Sequence, residues 1–190
     1  VLQVLLQLYN QQKDYDNMLR TLARLEQNDG NSEALTMSKV HVYELKGDRK
    51  QAYKALQTLC DTYPNDPNYR IMTGNWLMQN DRKKEAYELY QSVLKEEPNN
   101  AMALASMYDY YMATQDSLQA KSIMERILLS DKSDSKMKQS MIRQFIQTNE
   151  QSGGDSIKVL KMFDEVMKTS PNDAAIAELK VAYMSLKKMP

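Results

Sequence analysis

His41 and Cys60 are the only histidine and the only cysteine in 190 residues. One imidazole and one thiol, 19 residues apart, supply neither the ligand set of a zinc site nor a convincing nucleophile–base pair. Cys60 lies among Leu56, Leu59 and Tyr63 on a helical pattern, so a small buried hydrophobe is the expectation. No glycine-rich phosphate loop, G-x-S-x-G or H-E-x-x-H is present. Asp131-Lys132-Ser133-Asp134-Ser135 has the oxygen-rich look of a cation loop but lacks the Gly and terminal Glu of an EF-hand, and capping of the next helix explains it better. Glu96-Glu97 reads as solvated charge at a boundary between elements. The expectation is a chain that is not an enzyme and needs no cofactor or metal.

Composition narrows the partners. The 25 basic and 25 acidic residues cancel and are spread evenly, so no basic stripe exists to hold phosphates, and nucleic acid is not expected. The apolar runs are only a few residues long, so no direct membrane insertion is expected. A hydrophobic content of 42% with 5 Gly and 5 Pro suits a helical body with a continuous core.

The elements that must position these residues follow a ruler. Tyr9, Tyr43, Leu77, Tyr111 and Phe145 stand at equal steps of 34 residues, as do Ala52, Ala86 and Ala120, and Pro64 with Pro98. A 34-residue period predicts paired helices that stack, each pair too small to bury both of its faces alone. Asp14, Asp48 and Asp116 share one position in the unit, where a carboxylate caps the second helix. Pro64-Asn65-Asp66, Pro98-Asn99-Asn100 and Pro171-Asn172-Asp173 end the second helices and launch the next pair. The third of these arrives five residues late. Gln151-Ser152-Gly153-Gly154-Asp155 accounts for the delay, predicting a longer first helix and a protruding turn, with Asp155 as cap.

On these residues the chain resembles the tetratricopeptide repeat family. The aligned positions are the aromatic or Leu at 9, 43, 77, 111 and 145, the small residue at 52, 86 and 120, and the prolines at 64 and 98. The resemblance implies an all-α, right-handed superhelical solenoid of antiparallel helix pairs over residues 1–190. The repeats would cover about 1–32, 33–66, 67–100, 101–134 and 135–173, with a C-terminal helix over 174–188. Departures stand out where the family prefers a large residue, at Thr36, Arg70 and Lys138, and where it prefers a small one, at Val40, Tyr108 and Ile142. Val1 opens in mid-pattern and the last helix lacks a following one, which reads as a piece of a longer repeat protein whose apolar ends could drive self-association.

The resemblance also implies where a partner would bind. First helices in this family line a concave groove, and the matching positions are Gln3, Gln7, Asn10 and Gln11, then Met37, His41 and Glu44, then Asn68, Ile71, Asn75, Met78 and Gln79. Met102, Asp109 and Met112, then Gln139 and Arg143, complete the set. Its amides can pair with an extended backbone and its methionines with apolar side chains. The implied function is a protein-interaction scaffold that holds a peptide or protein segment; the alternative is a sensory or regulatory module of a larger protein whose effector lies elsewhere. The family's chaperone-type clamp for a terminal carboxylate is not expected, because its Lys and Asn positions hold Met37 and His41, Ile71 and Asn75, and Ala105 and Asp109. Asp116-Ser117-Leu118 and Asp155-Ser156-Ile157 resemble an O-glycosylation tripeptide of some bacterial envelope proteins, but both aspartates already have capping roles. Localisation stays open between cytoplasm and bacterial envelope.

Overall fold

A computed structural model describes residues 2–189; Val1, Pro190 and the side chains of Leu2 and Gln3 lie outside that description, so the Gln3 groove position does too. Eleven α-helices and no strand are found among the described residues, as the all-α reading expects. They are α1 (Leu2–Gln12), α2 (Tyr15–Asp29), α3 (Glu33–Leu45), α4 (Arg49–Thr62), α5 (Pro67–Gln79), α6 (Lys83–Glu96), α7 (Ala101–Ala113), α8 (Ser117–Leu129), α9 (Ser135–Gln151), α10 (Ser156–Thr169) and α11 (Ala174–Leu186). The chain forms two compact units, the first ending at Arg82 and the second beginning at Lys83. In the first, α1 to α5 pack each on the next. In the second, α6 to α11 do the same, and α8 also meets α10 while α9 meets α11.

One turn recurs on the ruler. Lys13, Gly47, Asp81 and Gln115 adopt φ of 54°, 76°, 61° and 60°, the left-handed conformation that stops a helix. The following N–H then donates to the carbonyl five residues back. Asp14 reaches Tyr9 at 2.9 Å, Asp48 reaches Tyr43 at 2.8 Å, Arg82 reaches Leu77 at 2.9 Å and Asp116 reaches Tyr111 at 2.9 Å. Three of these closing residues are aspartates that also cap the next helix. Asp14, Asp48 and Asp116 accept from the backbone N–H groups of Asn17, Gln51 and Gln119, each at 3.1 Å. A single residue thus ends one helix and begins the next, which folds the pair back on itself.

The late fifth turn uses the same parts, respaced. α9 has 17 residues where α3, α5 and α7 have 13. Its closing bond runs from Gly154 N–H to the Asn149 carbonyl at 2.9 Å, with Gly153 before it at φ 112° and Gly154 itself at φ 70°. The cap sits one residue later: Asp155 accepts from Ile157 and Lys158 N–H at 3.0 and 3.2 Å. Four of the five extra residues therefore add about one helical turn. The fifth separates the closing N–H from the capping carboxylate.

First and second helices share the core, and the second helices show its repeat most plainly. Ala52, Leu56 and Leu59 on α4, Ala86, Tyr90 and Val93 on α6, Ala120, Met124 and Ile127 on α8, and Val159, Phe163 and Val166 on α10 are all buried. Ala at the start of this stripe lets backbones approach; Val159 fills the same place on α10. Lys138, an odd residue for an apolar position, is 1% exposed. Its ammonium donates to Ser170 Oγ at 2.7 Å, at the C-terminal end of α10, where the helix dipole favours a cation. Desolvation lowers its pKa all the same. Asp134 accepts from Met137 N–H at 2.7 Å, so the oxygen-rich 131–135 segment caps α9.

Ala52→Leu should destabilise the chain by about 1–3 kcal/mol through overpacking, and Asp48→Ala by about 1 kcal/mol through loss of the cap. Urea unfolding followed by circular dichroism reads both. An unchanged midpoint for Ala52→Leu would mean that the helices at this point are not in close approach.

Candidate functional site

A first helix buries one stripe against its neighbours and leaves another outward. In the first unit, Gln7, Asn10 and Gln11 on α1 are exposed. On α3, Met37, His41 and Glu44 fall at i, i+4 and i+7, on one exposed stripe. Glu44 is already engaged, since Trp76 Nε1 donates to its Oε1 at 2.7 Å, tying α5 to α3. On α5, Asn68, Asn75 and Gln79 are exposed and Met78 is half-buried. Ile71 is buried at 1% exposure, so its side chain is spent on packing within the fold.

In the second unit, Met102, Asp109 and Met112 fall on one outward stripe of α7. Gln139 on α9 is half-buried and donates to Ser135 Oγ at 3.1 Å, while Arg143 is exposed. The methionines span the full range of burial, and seven of the 14 are half-buried. Met18, Met107, Met124 and Met141 are buried, whereas Met37, Met102 and Met112 stand among the large exposed apolar side chains. All three of the latter are on first helices, α3 and α7.

The lone thiol and the acidic groups have the following surroundings among the described residues. Cys60 is half-buried with Thr73 Oγ1 at 3.4 Å, and burial pushes its thiol pKa up, which disfavours the thiolate. Among the described residues no cluster of His, Cys, Asp and Glu could hold a metal ion, and no helix is long and apolar enough to cross a membrane. Asp109 keeps its edge in solvent, but partial burial raises its carboxyl pKa above the ordinary value. It is an acid set in an apolar stripe between Met102 and Met112. Beside that stripe Tyr110 packs on Tyr87 with ring centroids 4.9 Å apart, and burial pushes the neighbouring Tyr111 up to about 12.

Two features are not visible in the repeat pattern. Arg82 lies over the Tyr53 ring at 4.0 Å, Tyr53 stacks on Trp76 at 6.0 Å, and Trp76 donates to Glu44, so the only Trp is held between a ring and a carboxylate. Its place between the tyrosine at 53 and the glutamate at 44 is set by contacts across helices, which linear spacing does not encode. The second is a cleft formed by α8, α9 and α10, described below.

Residues 42–66 match the tetratricopeptide repeat family model. Together with eleven helices that pack in sequence order within each unit, and no strand among the described residues, this match fits a repeat protein of the tetratricopeptide type. A search of curated proteins gives no match. Repeats of this type act in protein–protein interaction, and their all-helical frame is typically a non-catalytic scaffold.

The raised pKa of Asp109 has a sign. The folded chain holds this proton more tightly than the unfolded one, so the ionised form costs stability above the folded pKa, and the cost vanishes as pH falls below the ordinary carboxylate value. Asp109→Asn should therefore raise the thermal midpoint at pH 7 and do so by less at pH 4. An equal rise at both pH values, or a fall at pH 7, would contradict the assignment.

Proposed function

We propose that the exposed stripes of the first helices bind a segment of a partner protein, with methionines as the apolar contacts and amides as the polar ones. The observation that carries this reading is the sorting of the methionines. A chain that buries Met107, Met124 and Met141 leaves Met37, Met102 and Met112 in water, on the helices and stripes where a binding face is expected. Flexible, polarizable thioethers adapt to varied apolar side chains, and a surface that carries them without a partner exposes apolar area for no folding benefit.

Each unit contributes its own face. In the first, Asn75 and Gln79 on α5 and Met37 with His41 on α3 mix amide, thioether and imidazole, with Gln7, Asn10, Gln11 and Asn68 around them. In the second, Met102 and Met112 flank Asp109 on α7, with Gln139 and Arg143 on α9. The near absence of unpaired lysine from these stripes disfavours capture of a terminal carboxylate and favours an internal segment, extended or helical, whose backbone the amides can hydrogen-bond.

Co-purification with the full-length protein, read by mass spectrometry, identifies the partner; calorimetric titration of that partner then tests the face. Met37→Glu and Met112→Glu, both at exposed positions, should leave the helical signal and thermal midpoint near those of the parent while weakening binding by about tenfold or more for the unit that makes the contact. Affinity unchanged in both variants would refute the first-helix assignment.

A further inference from the structure

The structure repeats a cleft as well as a helix pair, and one copy has changed chemistry. Among the described residues a cleft opens between second helices, with the ruler residue of the intervening first helix as its wall, at α2–α3–α4, at α6–α7–α8 and at α8–α9–α10. Tyr43 walls the one formed by α2, α3 and α4, Tyr111 the one formed by α6, α7 and α8, and Phe145 the one formed by α8, α9 and α10. Their volumes are about 240, 450 and 220 Å³. Equivalent positions can be compared directly, with the five-residue offset applied to α10. Glu26 and Leu94 become Leu128; Ala55 and Ile123 become Met162; Gln27 and Lys95 become Leu129; and the wall loses its hydroxyl at Phe145.

The first cleft is spanned by the Lys39–Glu26 ion pair at 2.5 Å. In the second, Arg126 donates to the Pro98 carbonyl at 2.5 Å and Gln91 to Tyr87 at 2.6 Å, so polar groups occupy its walls. In the third the depth is apolar, with Leu128 and Val166 buried and Phe145 and Met162 half-buried, and Leu129 stands 47% exposed at its lip. Its acidic rim groups already have partners: Glu125 lies 3.8 Å from Lys121, and Glu165 lies 2.8 Å from Lys168. Lys158 and Lys161 are the remaining rim charges. Lys158 has its ammonium 5.8 Å from the Phe145 centroid, and neither lysine is ion-paired among the described residues. The longer α9 accompanies this change, since α10 packs less extensively on α9 than α8 does on α7.

We propose that the α8–α9–α10 cleft is a second docking site, taking one large apolar side chain from a partner segment that carries acidic residues on either side of it. Size argues for a side chain: small-molecule sites usually span about 300–1,000 Å³, and a cleft of 220 Å³ is below that range. A single buried anchor with a rim of weaker contacts is how such a cleft contributes to affinity. Charge argues for the flanks: Lys158 and Lys161 sit where carboxylates on either side of an inserted Phe, Leu or Met would reach them, and they would steer the encounter. This site lies on the second helices and is separate from the first-helix stripes of α7 and α9.

The test uses the full chain with its methionine methyl groups labelled for NMR and two blocked pentapeptides as probes, Asp-Glu-Phe-Glu-Asp and its Ser-centred counterpart. A Lys-flanked Phe peptide and dodecanoate are the remaining probes. The acidic Phe peptide should shift the Met162 methyl signal to saturation and leave Met102 and Met112 unmoved, while the Ser-centred and Lys-flanked peptides should bind weaker by about tenfold or more. Lys158→Glu with Lys161→Glu, both exposed, should weaken the acidic peptide by a similar factor with the fold intact by circular dichroism. The proposal is overturned if Met162 does not respond, if the Ser-centred or Lys-flanked peptide binds equally well, or if dodecanoate saturates the cleft at lower concentration than the peptide. A response confined to Met102 and Met112 would also overturn it, while leaving the first-helix face as the binding surface.

Discussion

Two apolar sides on one helix pair impose the constraint from which the rest follows. A hairpin of helices can hide one side within itself; the other stays wet unless a further helix covers it. The stripe Ala52, Leu56 and Leu59 on α4 is buried because α3 covers it from one direction and α5 from the other. The stripe Ala120, Met124 and Ile127 on α8 is buried in the same way between α7 and α9. Caps and left-handed turns do not supply this energy. They set the reversal at each hairpin so that the stripes face each other, and the buried area does the stabilising at roughly 25 cal/mol per Å².

The same constraint decides what is left for binding. Second helices lie covered on their inner stripes, and first helices keep one stripe free. Met37, Met102 and Met112 stay exposed on first helices, and the binding face proposed for those helices would give them a role. The clefts between second helices are a by-product of stacking cylinders of a fixed diameter. Polar groups share the walls of two of them, while Leu128, Leu129, Phe145 and Met162 keep the third apolar. Function in such a chain lies in the side chains added to a repeated frame, not in the frame itself.

Most of the frame was legible in the sequence because spacing encodes it. The 34-residue steps, the capping aspartates at 14, 48 and 116 and the glycine pair at 153–154 each act locally, so reading along the chain finds them. What escaped depends on contacts across the chain. The left-handed turn is occupied by Lys13, Asp81, Gln115 and Lys188 as well as by Gly47 and Gly153, so a search for glycine misses most of its cases. Lys138 looked like a departure from the pattern; it is buried because Ser170 and the end of α10 receive its charge 32 residues away. Ile71 was read as a groove position from its place in the repeat, but its local neighbours bury it. Trp76 fell at no named repeat position, and its bond to Glu44 links residues 32 apart.

Native-state hydrogen exchange tests the stacking claim most directly. If burial between neighbouring helices is the source of stability, amides of α4 and α8, each covered from two directions, should exchange only through near-global opening. Amides of α1, which packs on α2 alone among the described residues, and of α11, whose Val181 and Leu186 stand exposed, should exchange through local opening several kcal/mol less costly. Protection in α1 and α11 equal to that in α4 and α8 would contradict the account, because helices would then be stable without neighbours to cover them.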